Sequence, residues 1–371
     1  EGRLDRLVEQ LPDDETLAER RQQGLGLTRP ELSILLAYTK IRAFEQLLES
    51  DLVTGEEFLD DLLAYFPGPL RERFQRRIDQ HPLRREIIAT NLANHILNRM
   101  GATFLMRVTA NTGTTVPTAA RAFVAARDMY GLRPLWHEID ALDNQVAATH
   151  QQAMLHTLCN LQEQATTWLL RRGLPVAGLA ERITVTAEAI RQLDGMLPEL
   201  LAQSGLERLE RRHAEHVAAG VPEDLAGRMS RLPTLYAALD IGAAAQTRDT
   251  SLEETARIHF GAAHAVGLEG LREGLEAFAP ADDWQARFLG GLLEDLHSEQ
   301  RRLTETILAE TPPGQAGERI AQWTEANAAR IGYFRQTVEQ VTAAAQPDAA
   351  MLGVAMQELR QLSGNHEEIT E

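Results

Sequence analysis

Apolar residues recur three and four positions apart through nearly all of this 371-residue chain, whereas runs that alternate apolar and polar residues and are rich in Val, Ile and Tyr are missing. The first pattern is the buried face of a 3.6-residue helix; the second would be a half-buried strand. The spacing therefore predicts an all-α protein. Aromatic residues make up only 5% of the chain, so its core must be built from Leu, Ala, Ile and Met, which suit helix-on-helix packing. A chain of this length also exceeds the size at which a single hydrophobic core stops growing, which predicts a multi-helix bundle in two lobes.

Local signals place the helices. Thr28, with Pro30 two residues on and Glu31 three, reads as a capping box opening a helix that carries Leu32, Leu35, Leu36, Ala43, Phe44, Leu47 and Leu48 on one face. Helices are expected over about 56–65, from about 70 to 80, over 83–100 with Gly101 as the C-terminal cap, and over 102–110. Two more are expected at 116–130, after an N-cap at Thr115, and at 134–142. Residues 145–172 contain neither proline nor glycine before Gly173 and read as one long helix. The lobes are therefore set at 1–145 and 146–371. The second half reads as helices punctuated by Pro198, Pro222, Pro233, Pro280, Pro312–Pro313 and Pro347, with Ser251 and Asp282 as N-caps and long helices packed antiparallel.

Charge and motifs narrow the function. The net charge of −17 opposes nucleic acid and anionic membrane surfaces as partners. No apolar stretch approaches the roughly 18 residues that span a bilayer, and the first ten residues mix both charges, so a cytoplasmic chain is expected. Cys159, the only cysteine, excludes an intrachain disulfide and, among Leu155, Leu158 and Leu161, reads as a buried packing residue. No GxGxxG follows a strand pattern, and neither GxxxxGK[ST] nor GxSxG occurs, so no Rossmann domain is expected in this segment and no residue is assigned a catalytic, cofactor-binding or metal role. Glu210, His213 and His216 could present three ligands on one helix, but Arg208, Arg211, Arg212 and Glu215 around them read as a solvated face. His259 and His264, five apart, share no helix face well.

Two features suggest contact with another protein surface. The segment 71–85 holds Arg71, Arg73, Arg76, Arg77, Arg84 and Arg85 against Glu72 and Asp79; it reads either as a docking surface or as a solvated charged face. On the next helix Asn91, Asn94 and Asn98 form a stripe at spacings of three and four. Asparagine is a poor helix former, so the stripe reads as a buried polar network that fixes helix register or as a direct contact with a ligand or another domain.

The stretches LTRPELSILLAYTK (27–40) and HPLRREIIATNLANHILNRMGATFLMR (81–107) resemble the region that follows the catalytic core in the large NAD-specific glutamate dehydrogenases of bacteria. The opening residues, YFPGPLRERF (65–74) and LRPLWHEIDALDNQV (132–146) are similar too; the likeness is dense to about residue 175 and thin beyond. One departure is Pro117, one position later than the family more often places its proline after the capping hydroxyl. The resemblance implies a parent enzyme that oxidises L-glutamate to 2-oxoglutarate and ammonium with NAD as hydride acceptor, whose catalytic and dinucleotide-binding residues lie upstream. It carries none of them onto this chain, Lys40 included. What it implies here is an inactive structural and regulatory helical segment without its own cofactor, packing on the catalytic domain of its own chain or on a neighbouring subunit of a homo-oligomer; the basic segment and the asparagine stripe, lying side by side, put Arg71, Arg76, Arg77, Arg84, Arg85, Asn91, Asn94 and Asn98 at that contact. The alternative is a free-standing helical interaction module.

Overall fold

The computed structural model describes residues 5–173, 178–344 and 347–364. Every regular element among them is helical, in nineteen α-helices and two short 3-10 turns, as the periodicity predicts. No described helix is long and apolar enough to cross a membrane.

The first half opens with α1 (Asp14–Gln22) and α2 (Arg29–Leu48), followed by 3-10 turns at Leu52–Thr54 and Glu56–Phe58. Then come α3 (Leu59–Ala64), α4 (Gly68–Asp79), α5 (Arg84–Met100), α6 (Phe104–Thr112), α7 (Val116–Met129) and α8 (Leu132–Asp140). The helix starts follow the local chemistry. The Thr28 amide donates to Glu31 Oε2 at 2.7 Å, and Pro30 occupies the first turn, where its missing N–H is no loss. Gly101 closes α5 at φ +85°, a conformation that disfavours any side chain. The displaced Pro117 leaves the start of α7 in place: Val116 follows Thr115, whose Oγ1 lies 3.4 Å from the Thr118 amide. The chain continues with α9 (Ala148–Arg171), α10 (Leu179–Leu200), α11 (Gln203–Ala218), α12 (Glu223–Leu235), α13 (Ala237–Arg248), α14 (Leu252–Val266) and α15 (Leu268–Ala277). The last four helices are α16 (Asp283–Glu310), α17 (Ala316–Ala326), α18 (Ala328–Ala343) and α19 (Ala349–Ser363).

Two compact units result: Glu1–Asp128 with Gln162–Ile183, and Met129–Leu161 with Thr184–Glu371. Both are discontinuous along the chain, unlike the contiguous lobes 1–145 and 146–371 set from the sequence. Their boundaries fall at the last residue of α7 and inside α9 and α10.

In the first unit α5 crosses the C-terminal half of α2 antiparallel. Arg85 Nη2 donates to Leu48 O (2.7 Å) near the end of α2, and Lys40 Nζ donates to Asn98 Oδ1 (2.8 Å) further back. Leu47, Phe58, Leu62, Ile88, Leu92 and Phe123 are wholly buried there. Among them sits an ion pair with no exposure on either side: Arg127 Nη1 and Nη2 donate to the two Asp61 oxygens at 2.8 and 2.9 Å, and Asp128 takes Nε at 2.7 Å. Burial works against the Arg127 charge, but Asp61 and Asp128 outweigh it and the guanidinium pKa rises. The first half of α2 departs from expectation. Leu32 and Leu35 are 51% and 37% exposed, because α5 covers only the later turns, where Ala43 and Leu47 are buried.

The second unit is built round the 28-residue α16, against which α13, α14 and α19 pack. Leu268, Leu271, Leu296, Ile307, Phe334 and Met356 are among its core residues. Ser251 and Asp282 cap α14 and α16 as read, accepting from the Glu254 and Gln285 amides at 3.1 and 2.8 Å. Two expected stops are corrected: Pro198 and Pro233 lie inside α10 and α12. Each stands two residues from its helix end, where a missing N–H forfeits one bond without unravelling a following turn. Close packing comes from glycines. A Cβ on Gly270 would lie 2.6 Å from Val338 Cγ1 and one on Gly274 2.7 Å from Val341 Cγ1, so these two positions, one turn apart, let α15 approach α18. The sequence gives no warning of Arg319, which is 4% exposed: it donates to Leu308 O (2.8 Å) and Thr311 Oγ1 (2.9 Å) at the end of α16 and to Glu254 Oε1 (2.5 Å) on α14.

Candidate docking surface

The basic segment is split by the fold into two kinds of arginine. Arg84 and Arg85, at the start of α5, are committed within the first unit. Arg84 pairs with Asp79 and reaches Gly55 O at 3.4 Å, while Arg85 holds the last carbonyl of α2, Leu48 O, at 2.7 Å and Ser50 O just beyond it at 3.3 Å. Cations at a helix C-terminus favour its dipole, so Arg85 secures α5 to α2, while Arg84 ties it to the end of α4. Arg71, Arg76 and Arg77 on α4 are exposed and form no ion pair with any described residue. Arg73 lies over the Phe74 ring at 5.2 Å, and Phe74 itself is non-helical (φ −126°, ψ 22°), which kinks α4 in the middle of the arginine run.

The asparagine stripe divides in the same way. Asn91 Nδ2 donates to Asp61 O at 2.6 Å, so the residue that holds Arg127 through its side chain is held by α5 through its backbone. That bond fixes the register of α5 against α3. Asn98 is exposed and bound to Lys40, and Asn94 is half-buried between them along the helix.

Around the free arginines the surface is apolar. Tyr65, Leu70 and Leu83 are 58%, 43% and 55% exposed at the two ends of α4. Ten of the sixteen large hydrophobics that stand exposed among the described residues belong to the first unit, although it is the smaller of the two. Tyrosine and arginine beside exposed leucine is the composition of an interface core more than of a solvated face.

The other candidate residues are tied into the helices. His213 and His216 are half-buried and not on a freely solvated face: His213 Nε2 lies 3.2 Å from Glu223, and His216 Nδ1 2.9 Å from His150 Nε2. Burial and then the neighbouring His150 lower the His216 pKa, favouring the neutral form of the His216 ring. Among the described residues no group of three or more His, Cys, Asp or Glu is placed to hold a metal ion. His259 is buried against Thr304 Oγ1 (3.0 Å), His264 is exposed, and Cys159 is half-buried where full burial was expected.

The class of protein is thus an all-α segment in which many polar side chains bond helix to helix, while Arg71, Arg76 and Arg77 stand uncommitted among the described residues. Residues 24–361 match the family described as "Glutamate dehydrogenase, C-terminal", and the chain belongs to that family. It is 34% identical over 364 residues to the NAD-specific glutamate dehydrogenase of Pseudomonas aeruginosa, covering 98% of this chain and 22% of that protein. Identity to the proteins of the same name from Halomonas elongata and Mycobacterium tuberculosis is 32% in each case, covering 99% and 97% of this chain and 23% and 22% of theirs. The chain therefore spans about a fifth of the length of the curated relatives it matches.

Proposed function

We propose that this chain is the C-terminal structural and regulatory part of a cytoplasmic, homo-oligomeric NAD-dependent glutamate dehydrogenase. The parent reaction takes L-glutamate, NAD and water to 2-oxoglutarate, ammonium and NADH. In this reading NAD binds elsewhere in the parent, and the helical part packs on the catalytic domain of its own chain or on a neighbouring subunit. The observation that carries the reading is that relatives bearing that name align with nearly all of this chain while extending far beyond it.

The contact is assigned to residues 70–101. Arg71, Arg76 and Arg77 supply its free charge, Leu70 and Leu83, with Tyr65 just ahead of the segment, its apolar area, and Arg84, Arg85, Asn91 and Asn98 fix the helices that present it, with Asn94 half-buried among them. Arginine's planar fork suits carboxylates on the opposing surface.

Two measurements test this. The full-length protein should form NADH from L-glutamate, and the 371-residue segment alone should neither do so nor bind NAD by calorimetry; turnover by the segment would overturn the reading. Hydrogen exchange over 70–101 should be slower in the full-length protein than in the segment. Reversing Arg76 and Arg77 to glutamate should bring the two rates together. Equal protection in both proteins would remove the contact from this face.

A further inference from the structure

Three arginines of the second unit converge from distant points of the sequence with no described carboxylate in hydrogen-bond contact with any of them. Arg208 and Arg212 stand one turn apart on α11, and Arg272 comes from α15. The acid nearest all three is Glu276, one turn beyond Arg272. A single oxygen of it, Oε1, lies 3.9 Å from Arg208 and 3.7 Å from Arg212, too far for a hydrogen bond to either. Arg272 donates instead to a neutral acceptor, Gln300 Oε1 at 3.1 Å, and Gln300 is held in turn by His259 O at 3.3 Å.

Further charges narrow the imbalance without closing it. From α11 the cluster also feels Arg211 and Glu215, from α15 Glu269, and from α14 and α16 the imidazoles of His259 and His297. Burial lowers the Arg272 pKa, and Arg208 and Arg212 lower it further against Glu276 and Glu269; for Arg212 burial again leads, with Arg208 and Arg211 adding to it. His297 is held down to about 3, by burial first and then by Arg272 and His259. An enclosed guanidinium is normally matched by a carboxylate in hydrogen-bond contact, because an unmatched buried charge is strongly destabilising. Here no carboxylate among the described residues makes that contact. Glu276 is 44% exposed, so its side chain borders solvent.

We propose that Arg208, Arg212 and Arg272 form a binding site for a small dianion carrying carboxylate or phosphate oxygens, which takes the place beside the guanidinium groups that Glu276 fills only loosely. Forked N–H donors on facing helices fit such oxyanions bidentately, and Gln300 fixes the direction of the Arg272 fork. Glu276 then acts as a resident competitor, admitting the dianion when it swings outward.

The test is calorimetric titration of the full-length protein with inorganic phosphate and, separately, with succinate, at ionic strength matched by chloride. The double variant Arg208→Gln/Arg212→Gln should weaken the bound anion on the order of tenfold or more, the loss expected for charge-assisted hydrogen bonds. Glu276→Gln should tighten it several-fold, an effect opposite in sign that general damage to the fold would not produce. Binding of phosphate alone assigns the site to phosphorylated ligands, and binding of succinate alone to dicarboxylates. No heat with either anion overturns the site, as does an affinity indifferent to all three substitutions, which would mark an adventitious ion only. Should the double variant fail to fold, the Glu276→Gln titration decides: unchanged or weaker binding refutes the proposal.

Discussion

Replacing Arg127 with methionine should be among the most damaging single changes in the first unit. Both carboxylate oxygens of Asp61 lie within 2.9 Å of the guanidinium, and neither side chain has any exposed surface. Methionine keeps much of the arginine stem, so the loss isolates the charge. Withdrawing one member of a buried ion pair leaves its partner desolvated and uncompensated, which costs about 3–5 kcal/mol. In a unit of this size each kcal/mol displaces the melting temperature by about 2–4 °C, so the transition of the first unit should fall by roughly 6–20 °C. Differential scanning calorimetry on Arg127→Met, checked by urea titration, reads this directly. The companion variant Asp61→Leu/Arg127→Met removes both charges and leaves Asp128, which is 27% exposed, to water. It should recover most of the stability, because apolar replacements of buried pairs are often neutral or better. A loss below about 1 kcal/mol in the single variant, the range of exposed pairs, would refute the reasoning. So would a double variant as unstable as the single, since packing and not charge would then be the cause.

Three further outcomes follow from the fold. Gly270→Ala and Gly274→Ala each push a methyl into a valine of α18 at 2.6–2.7 Å and should each destabilise the second unit by about 1–3 kcal/mol in chemical denaturation; wild-type stability would mean that α15 and α18 are free to separate. The Thr28 amide bond and then Arg20 lower the Glu31 pKa, so the carboxylate's stabilising effect is present above about 4.5 and lost as pH falls through the lower folded value. Wild type should therefore exceed Glu31→Gln in urea midpoint at pH 7 and converge with it in acid, whereas a pH-independent gap would contradict the assignment. Burial, followed by Arg272, holds His259 down to about 3, so the unfolded chain binds a proton between about 6.5 and 3 that the folded chain refuses. Stability of the second unit should decline as pH drops through that window, and His259→Gln should flatten the decline; an unaltered slope would place the pH dependence elsewhere.

What the sequence made legible is local. Thr28, Ser251 and Asp282 cap the helices they were expected to cap, and Gly101 ends α5, because a cap depends on residues three or four apart. Pro198 and Pro233 misled because a proline's effect depends on how far the helix has still to run, which tertiary packing decides. Leu32 and Leu35 look as buried as Leu47, but periodicity tells which face is apolar and not how far a partner helix extends along it. The segment 71–85 reads as one basic patch. Only the fold separates Arg84 and Arg85, which reach Asp79 and the carbonyls of residues 48–55, from Arg71, Arg76 and Arg77, which reach nothing described. The convergence of Arg208 and Arg212 with Arg272 has no signature in sequence at all, since some sixty residues separate them.

Because the first unit closes only with Gln162–Ile183, the second-unit stretch Met129–Leu161 is interposed in the middle of its chain. A ribosome making this protein must therefore release α8 and the first half of α9 before the first unit can be finished, so strictly sequential domain-by-domain folding is closed to it. The same interruption means that no single truncation yields either unit intact: expressing one alone requires excising the interposed stretch and rejoining the ends, or permuting the chain's termini.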